Sequence, residues 1–258
     1  MDISSLALAA LSGGVVALFL TVFGGGGSVL AVPLLLYVVG VADPHVAIGV
    51  AAAGVSLNAL TALAGQARAG RVRWPCALLF AGIGATTAWL GSSVAKMIDG
   101  DSLLLAFAFA MAAVGIAMLR PAKSEGSATV RLNRAIAPRI ALSAAGVGGA
   151  AGFFGIGGGF LIVPGLMAAT GMTLAMAQAS SLVSVAAFGA TTAVNYSLSG
   201  LISWPLVAAM TVGGAVGTLA GLPIAARLGV HAKMGRRLFA GLIILVALYV
   251  GVQAVAAL

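Results

Sequence analysis

Charged residues are scarce in this chain of 258 residues, since Asp, Glu, Lys and Arg together make up only 7%. Soluble domains carry about 25% charged residues, so the composition excludes an ordinary soluble protein. The single cysteine, Cys76, excludes an internal disulfide and a multi-thiolate metal site. The chain has only two histidines, His45 and His231, so we find no nucleophile with a histidine base and predict no enzyme activity, cofactor or metal site.

Apolar residues make up 62% of the chain, and its mean hydropathy is +1.18. A membrane-spanning helix needs about 20 apolar residues, and this chain accommodates about ten such segments. We therefore predict an all-α polytopic membrane protein that is embedded in the lipid bilayer. The apolar runs are 6–23, 29–41, 46–67, 74–97, 103–119, 140–154, 160–170, 174–198, 204–228 and 238–258. The short segments 29–41 and 160–170 either cross fully or are re-entrant, and the sequence leaves both interpretations open.

The basic residues lie between the apolar runs or at their ends. Short loops rich in Lys and Arg stay in the cytoplasm, which places loops 68–73, 120–139 and 227–237 on one side. Even numbers of segments separate these loops, so the assignment is consistent and puts both termini outside. The expected location is a bacterial inner membrane. The net charge of +8 is explained by this topology, and we predict no nucleic-acid partner.

A sequence repeat covers most of the chain. Residues 24–35 match residues 155–166 at seven of twelve positions, with an offset of 131, and Trp74-Pro75 matches Trp204-Pro205 with an offset of 130. Each strongly basic loop of one half corresponds to a loop of the other half with no basic residue or with one, Lys96, which indicates opposite orientation. We predict two inverted repeats of five segments each, residues 1–119 and 139–258, joined by a basic cytoplasmic linker, residues 120–138. Inverted repeats are typical of secondary transporters with a site near the midplane.

Glycine runs interrupt the same point of both halves. Glycine costs a helix interior about 1 kcal/mol, so a continuous helix through the first run is improbable and a new helix is expected to start at Ser28 or Gly159. A helix start offers free N–H groups and the positive end of its dipole to an anion. The alternative is that the glycines only allow close helix packing. The predicted substrate-binding residues of the two breaks are Gly25, Gly26, Gly27, Ser28, Gly157, Gly158 and Gly159.

Four polar side chains within apolar runs are added to the predicted substrate site, because an intramembrane polar residue rarely faces lipid. Ser180 and Ser181 are expected to donate hydrogen bonds to oxyanion oxygens. Asn58 and Gln178 carry side-chain amides that can donate to the same oxygens. Asp43 and His45 have two interpretations: an outer gate or proton-linked pair, or an ordinary turn initiated by Asp43-Pro44.

The duplicated pattern of glycine run, apolar pair and proline resembles the TauE/SafE family of sulfite exporter-like anion permeases. The pattern occurs at 24–33 and 155–164, and the second copy is followed by the small-residue helix 177–182. The resemblance spans nearly the full chain and implies transport, most simply export, of a small sulfur-containing anion such as sulfite or an organosulfonate. With two inverted repeats, alternating access by rocking of one half against the other is expected. An anion channel and a carrier of small carboxylates remain the alternatives.

Overall fold

A computed structural model describes residues 2–119, 126–127, 130, 132–155, 159–228 and 232–257, without the side chains of 118, 226–228, 232–239 and 255–257. The described residues form ten α-helices and one 3-10 segment, Gly24–Leu30. The α-helices are α1 Ile3–Phe23, α2 Ala31–Tyr37, α3 Pro44–Arg68, α4 Trp74–Ala95, α5 Gly100–Leu119, α6 Ala137–Phe154, α7 Gly159–Thr170, α8 Leu174–Leu198, α9 Trp204–Leu228 and α10 Ala232–Ala257.

The helices confirm the predicted all-α membrane class. Six segments of the described chain are long and apolar enough to span a bilayer, and α7 and residues 240–254 of α10 are shorter apolar helices. Large apolar side chains also cover the exterior, as Leu142 and Leu219 illustrate with 80% and 70% exposure. Such a surface is stable against lipid rather than water. The chain is therefore an integral multi-pass membrane protein.

Local sequence explains where several helices begin. Asp43 precedes α3, and its Oδ1 accepts a hydrogen bond from the His45 N–H at 2.8 Å, which satisfies one of the free donors of the first turn. The turns before α4 and α9 each contain a glycine in the left-handed region, Gly70 with φ 66° and Gly200 with φ 71°. Each turn is followed by a Trp-Pro pair, and proline is tolerated in a first helical turn. The repeat thus specifies the same turn twice.

Two ends of the helix bundle can be distinguished from these connections. We call the turn between α3 and α4 the Arg71 end and the turn between α4 and α5 the Lys96 end. The Lys96 Nζ donates to Asn195 Oδ1 at 2.8 Å, so α8 ends at the Lys96 end. The Arg73 N–H donates to Ser180 Oγ at 2.9 Å, so α8 begins at the Arg71 end. The helices α3 and α8 are equivalent in the repeat, and they run in opposite directions.

The linker between the halves also approaches the Arg71 end. The Ser127 N–H donates to the Gly171 carbonyl at 2.8 Å, in the turn that precedes α8. The basic residues Arg120, Lys123 and Arg131 of this linker lie outside the described residues. The division into residues 1–119, 120–138 and 139–258 stays a prediction.

Contacts between helices follow the offset of the repeat. A Cβ placed on Gly84 of α4 would overlap the Phe188 ring of α8, and a Cβ placed on Gly214 of α9 would overlap the Asn58 amide of α3. Gly84 and Gly214 differ by 214 − 84 = 130, as do Asn58 and Phe188. One pair thus reproduces the other after exchange of the two halves.

Helices of the two sequence halves interdigitate rather than form separate bodies. In the described structure α1 packs along α9 and α4 packs along α6, with glycines at close backbone contacts such as Gly213 against the Ala10 carbonyl and Gly152 against the Ala88 carbonyl. We define the first packing group as α1, α3 and α9 and the second as α4, α6 and α8. The two groups are in extensive contact where α3 packs along α8. Rocking of one sequence half against the other would separate α1 from α9 and α4 from α6. The rocking motion stays a prediction.

Candidate functional site

The first glycine run ends α1 and turns into a 3-10 helix. Gly24 has φ 67° and ψ −151°, a conformation that side chains disfavour. Residues Gly24–Leu30 then form the 3-10 segment, all seven are buried, and α2 starts at Ala31. The predicted break is therefore present. The expected helix start at Ser28 is wrong, because the tighter 3-10 winding continues through Ser28 before the α-helix forms.

The second glycine run ends α6 in the same way. Gly155 caps α6 in the left-handed conformation, with φ 66° and ψ 10°. The predicted site residues Gly157 and Gly158 lie outside the described residues, and α7 begins at Gly159 as the sequence predicts. Gly24 and Gly155 differ by 155 − 24 = 131, the offset of the repeat in this region. Both halves thus end their first helix on a glycine with positive φ.

The two breaks meet in the interior of the protein. A Cβ on Gly159 would overlap the Gly25 carbonyl, and a Cβ on Gly25 would lie 2.8 Å from Gly159 Cα, so the two backbones touch. The twelve residues of α7 run from this contact to the Arg71 end, which at 1.5 Å per residue is about 18 Å. Two helix starts, one 3-10 and one α, therefore face each other in the buried interior.

Each break also rests on the start of a long helix of the opposite half. Gly24 lies against Gln178 of α8, where a Cβ would be 2.6 Å from the Gln178 carbonyl oxygen, and Gly155 lies against the side chain of Ile48 of α3. Ile48 and Gln178 are equivalent in the repeat, since 178 − 48 = 130. The two contacts are thus equivalent in position but different in chemistry. Polar groups are concentrated on α8.

Ser181 binds the first break directly. Its Oγ accepts a hydrogen bond from the Gly25 N–H at 2.9 Å and donates to the Gln178 carbonyl at 2.8 Å. Ser28 Oγ donates to the Gly25 carbonyl at 2.9 Å. All of Ser28, Ser180 and Ser181 are fully buried. Ser181 therefore lies at the break, where its hydroxyl donates to the Gln178 carbonyl and its oxygen accepts from the Gly25 N–H that an anion would need. Its role as a donor to the substrate stays a prediction.

The other predicted side chains are not all brought to the breaks. Ser180 accepts from the Arg73 N–H at the Arg71 end, and Asn58 lies against α9, with its Nδ2 3.5 Å from the Met210 carbonyl. Gly27 packs back onto α1 at Leu20, which explains its lack of a side chain, and Gly26 is buried in the 3-10 segment. Their roles in substrate binding stay predictions. Among the described residues, Asn58 Oδ1 is buried without a hydrogen-bond partner.

Asp43 and His45 lie at the Lys96 end, at the start of α3. Asp43 caps α3, which fits the turn interpretation, and His45 Nε2 lies 3.1 Å from the Ile98 carbonyl oxygen. The His45 ring is 6.3 Å from the ring of the buried Tyr196. The alternative of a gate or a proton-linked pair stays a prediction.

The sequence does not predict the polar cluster around Asn195. Asn195 is 4% exposed, and its Nδ2 donates to Ser92 Oγ at 2.6 Å and to Ser93 Oγ at 2.9 Å, while its Oδ1 accepts from Lys96. Lys96 looks like a loop charge in the sequence because it follows an apolar run. The spacing of Asn195 and Ser199, one helical turn apart, was the available signal.

We expect Ser181→Ala to lower the stability of the folded protein by about 1–3 kcal/mol, because the buried Gly25 N–H loses its acceptor. Thermal unfolding in detergent measures this change. Ser184→Ala is the matched control, since Ser184 Oγ is buried without a partner among the described residues. Equal destabilisation by both variants would contradict the role of Ser181 at the break.

Comparison with known proteins identifies the family. A family model described as "Sulfite exporter TauE/SafE" matches residues 9–250. Two proteins of Xylella fastidiosa, each named a probable membrane transporter protein, are 44% (strain Temecula1) and 43% (strain 9a5c) identical to this chain. Each alignment covers 97% of this chain and 96% of the relative. No solved structure matches. With a match over nearly its whole length, this chain belongs to the sulfite exporter TauE/SafE family of membrane transporters.

Proposed function

We propose that this protein is a secondary carrier that exports a small sulfur-containing anion, such as sulfite or an organosulfonate, across a bacterial inner membrane. The observation that carries the proposal is the buried contact between Gly25 and Gly159. There, two helix starts face each other, and each presents the positive end of its dipole. When the two breaks separate, an anion that replaces the Ser181 oxygen on the Gly25 N–H would be favoured by both dipoles, and glycine lets it approach the backbone.

The site is assembled without charged side chains, which supports a small and weakly held anion. Residues 3–42 and 140–226 contain no Asp, Glu, Lys or Arg, and these ranges include both breaks and α8. Backbone N–H groups and serine hydroxyls are thus the available donors. Tight neutralisation by Lys or Arg would hold an anion in place, whereas neutral donors allow binding and release in each transport cycle.

Inverted topology is part of the proposal. It is supported by the opposite directions of α3 and α8, and by the position of the basic turn at one end of the bundle. If the Arg71 end faces the cytoplasm, both termini face outward and the Lys96 end is external. In the transport cycle, the first and second packing groups would move against each other, and the breaks would open to each side in turn.

An anion channel is the competing function, since the same helix starts would also stabilise an anion in a pore. The contact between Gly25 and Gly159 favours a carrier, because the backbones touch and close the path at this point. A carrier of small carboxylates would use the same donors, so substrate identity must be measured.

Binding of a panel of anions to the purified protein tests the proposal. We expect sulfite or one organosulfonate to raise the unfolding temperature, because a ligand at 100 times its Kd stabilises the folded state by about 2.7 kcal/mol. The panel includes sulfite, thiosulfate, sulfoacetate, isethionate, sulfate, acetate and oxalate. Selective stabilisation by acetate or oxalate would replace the sulfur anion with a carboxylate. An equal response to every anion, or no response to any, would contradict the proposed site.

A further inference from the structure

Lys96 is a half-buried cation whose hydrogen-bond acceptors are neutral. Its Nζ donates to Asn195 Oδ1 at 2.8 Å, to Ser199 Oγ at 2.8 Å and to the Asn195 carbonyl at 3.2 Å. Hydrogen bonds between an ammonium and an anionic oxygen are roughly twice as strong as bonds between neutral groups. An oxyanion that reached this ammonium would therefore be a better ligand than the oxygens that it displaced.

The surroundings of Lys96 place it beside the seam between the two packing groups. Its Nζ lies 5.9 Å from the centroid of the Tyr196 ring on α8, and the His45 ring on α3 lies 6.3 Å from the same ring. Gly49 of α3 packs against Leu201 directly after α8. Any separation of α3 from α8 at this end opens the protein next to Lys96.

The buried hydroxyl of Tyr196, in the same cluster, is available as a hydrogen-bond donor. Tyr196 is 0% exposed, and its hydroxyl has no hydrogen-bond partner among the residues that the structure describes. A buried hydroxyl without a partner costs free energy, and a ligand oxygen would satisfy it. The hydroxyl belongs to the ring whose centroid lies 5.9 Å from the Lys96 Nζ.

We propose that Lys96 forms a second anion site at the Lys96 end, where the transported oxyanion exchanges with the external solution. In this site the oxyanion replaces neutral oxygens of Asn195 and Ser199 on the ammonium when α3 and α8 separate. Asn195 then acts as a competitor of the anion, since its amide is fixed by Ser92 and Ser93 and keeps Lys96 occupied in the closed state. This inference rests on the proposed function as an anion carrier.

The test measures side-specific KM for radiolabelled sulfite in right-side-out and inside-out membrane vesicles that contain the full-length protein. Lys96→Met should raise KM at the external face about tenfold, by loss of one charge-assisted contact, and leave the cytoplasmic KM unchanged. Lys96→Arg should restore most of the external affinity. Asn195→Ala should lower the external KM, because the ammonium loses its competing ligand.

An anion site predicts that Lys96→Met raises the external KM and that Asn195→Ala lowers it, whereas a structural contact does not. If Lys96 only ties α4 to α8, both variants loosen the same contact and change transport in the same direction at both faces, and that result would overturn the inference. Thr86→Ala on α4, where the hydroxyl donates to the Ile83 carbonyl of its own helix, is the matched control and should leave KM unchanged. If Lys96→Met does not accumulate in the membrane, a raised or unchanged external KM in Asn195→Ala overturns the inference by itself. Absence of saturable sulfite transport by the unmodified protein would overturn the proposed function instead.

Discussion

Gly159→Ala should abolish anion binding and transport. The added methyl group would overlap the carbonyl of Gly25, and both partners in this contact are backbone, so no side chain can move aside. Overpacking of a protein interior costs about 1–3 kcal/mol. Relief of this overlap forces the two breaks apart, which removes the arrangement of N–H groups that would hold the anion. Titration of the purified variant with the preferred anion of the panel, and its uptake by proteoliposomes, measure the effect.

The matched control for Gly159→Ala is Gly82→Ala. Both substitutions add one methyl group to a helix, but no heavy atom outside the helix's own nearby backbone lies within 4 Å of a Cβ at Gly82. Gly82→Ala should therefore keep full transport and gain up to about 1 kcal/mol of stability from helix propensity. Folding of both variants is checked by size-exclusion chromatography. A folded Gly159→Ala protein that binds and transports normally would show that the two breaks are only packing elements.

A cross-link between the packing groups should stop transport. Ser56 of α3 and Ala186 of α8 are equivalent in the repeat, and Ser56 Oγ lies 2.8 Å from the Ala186 carbonyl oxygen. We expect oxidation to link Ser56→Cys with Ala186→Cys in a Cys76→Ala background, and mass spectrometry of the oxidised protein checks that the disulfide has formed. Because the disulfide holds α3 against α8, transport should fall by more than about tenfold and recover on reduction.

The control cross-link joins two helices of the same packing group. Thr61 of α3 and Thr218 of α9 have hydroxyl oxygens 3.2 Å apart, so Thr61→Cys with Thr218→Cys should also form a disulfide on oxidation. Transport should persist, since α3 and α9 move together. Equal loss with both cross-links would show that the packing groups are not the moving bodies.

The sequence predicts the number of segments and the position of the breaks because both depend on local properties. Apolar runs of sufficient length must be helices in a bilayer, and glycine runs cannot continue them cheaply. Gly24 and Gly155 have the positive φ that a break requires. The duplicated glycines also indicate that the two breaks are equivalent before any coordinates are considered.

The sequence does not predict which helices pack together, because packing depends on surfaces that are distant in the chain. The pairing of α1 with α9 and of α4 with α6 crosses the boundary between the halves. For the same reason Asn58 and Ser180 were grouped with Ser181 by sequence position, whereas only Ser181 binds the Gly25 amide. The conversion of residues 24–30 to a 3-10 helix also depends on this buried environment.

Counterflow of a labelled anion tests the central claim most directly. Proteoliposomes that contain the Ser56→Cys, Ala186→Cys protein are loaded with unlabelled sulfite or the preferred anion, and uptake of external labelled anion is followed before and after oxidation. We predict saturable counterflow in the reduced protein, its loss on oxidation and its return on reduction. Flux that rises linearly with concentration, or counterflow that the cross-link does not change, would contradict alternating access between the two packing groups.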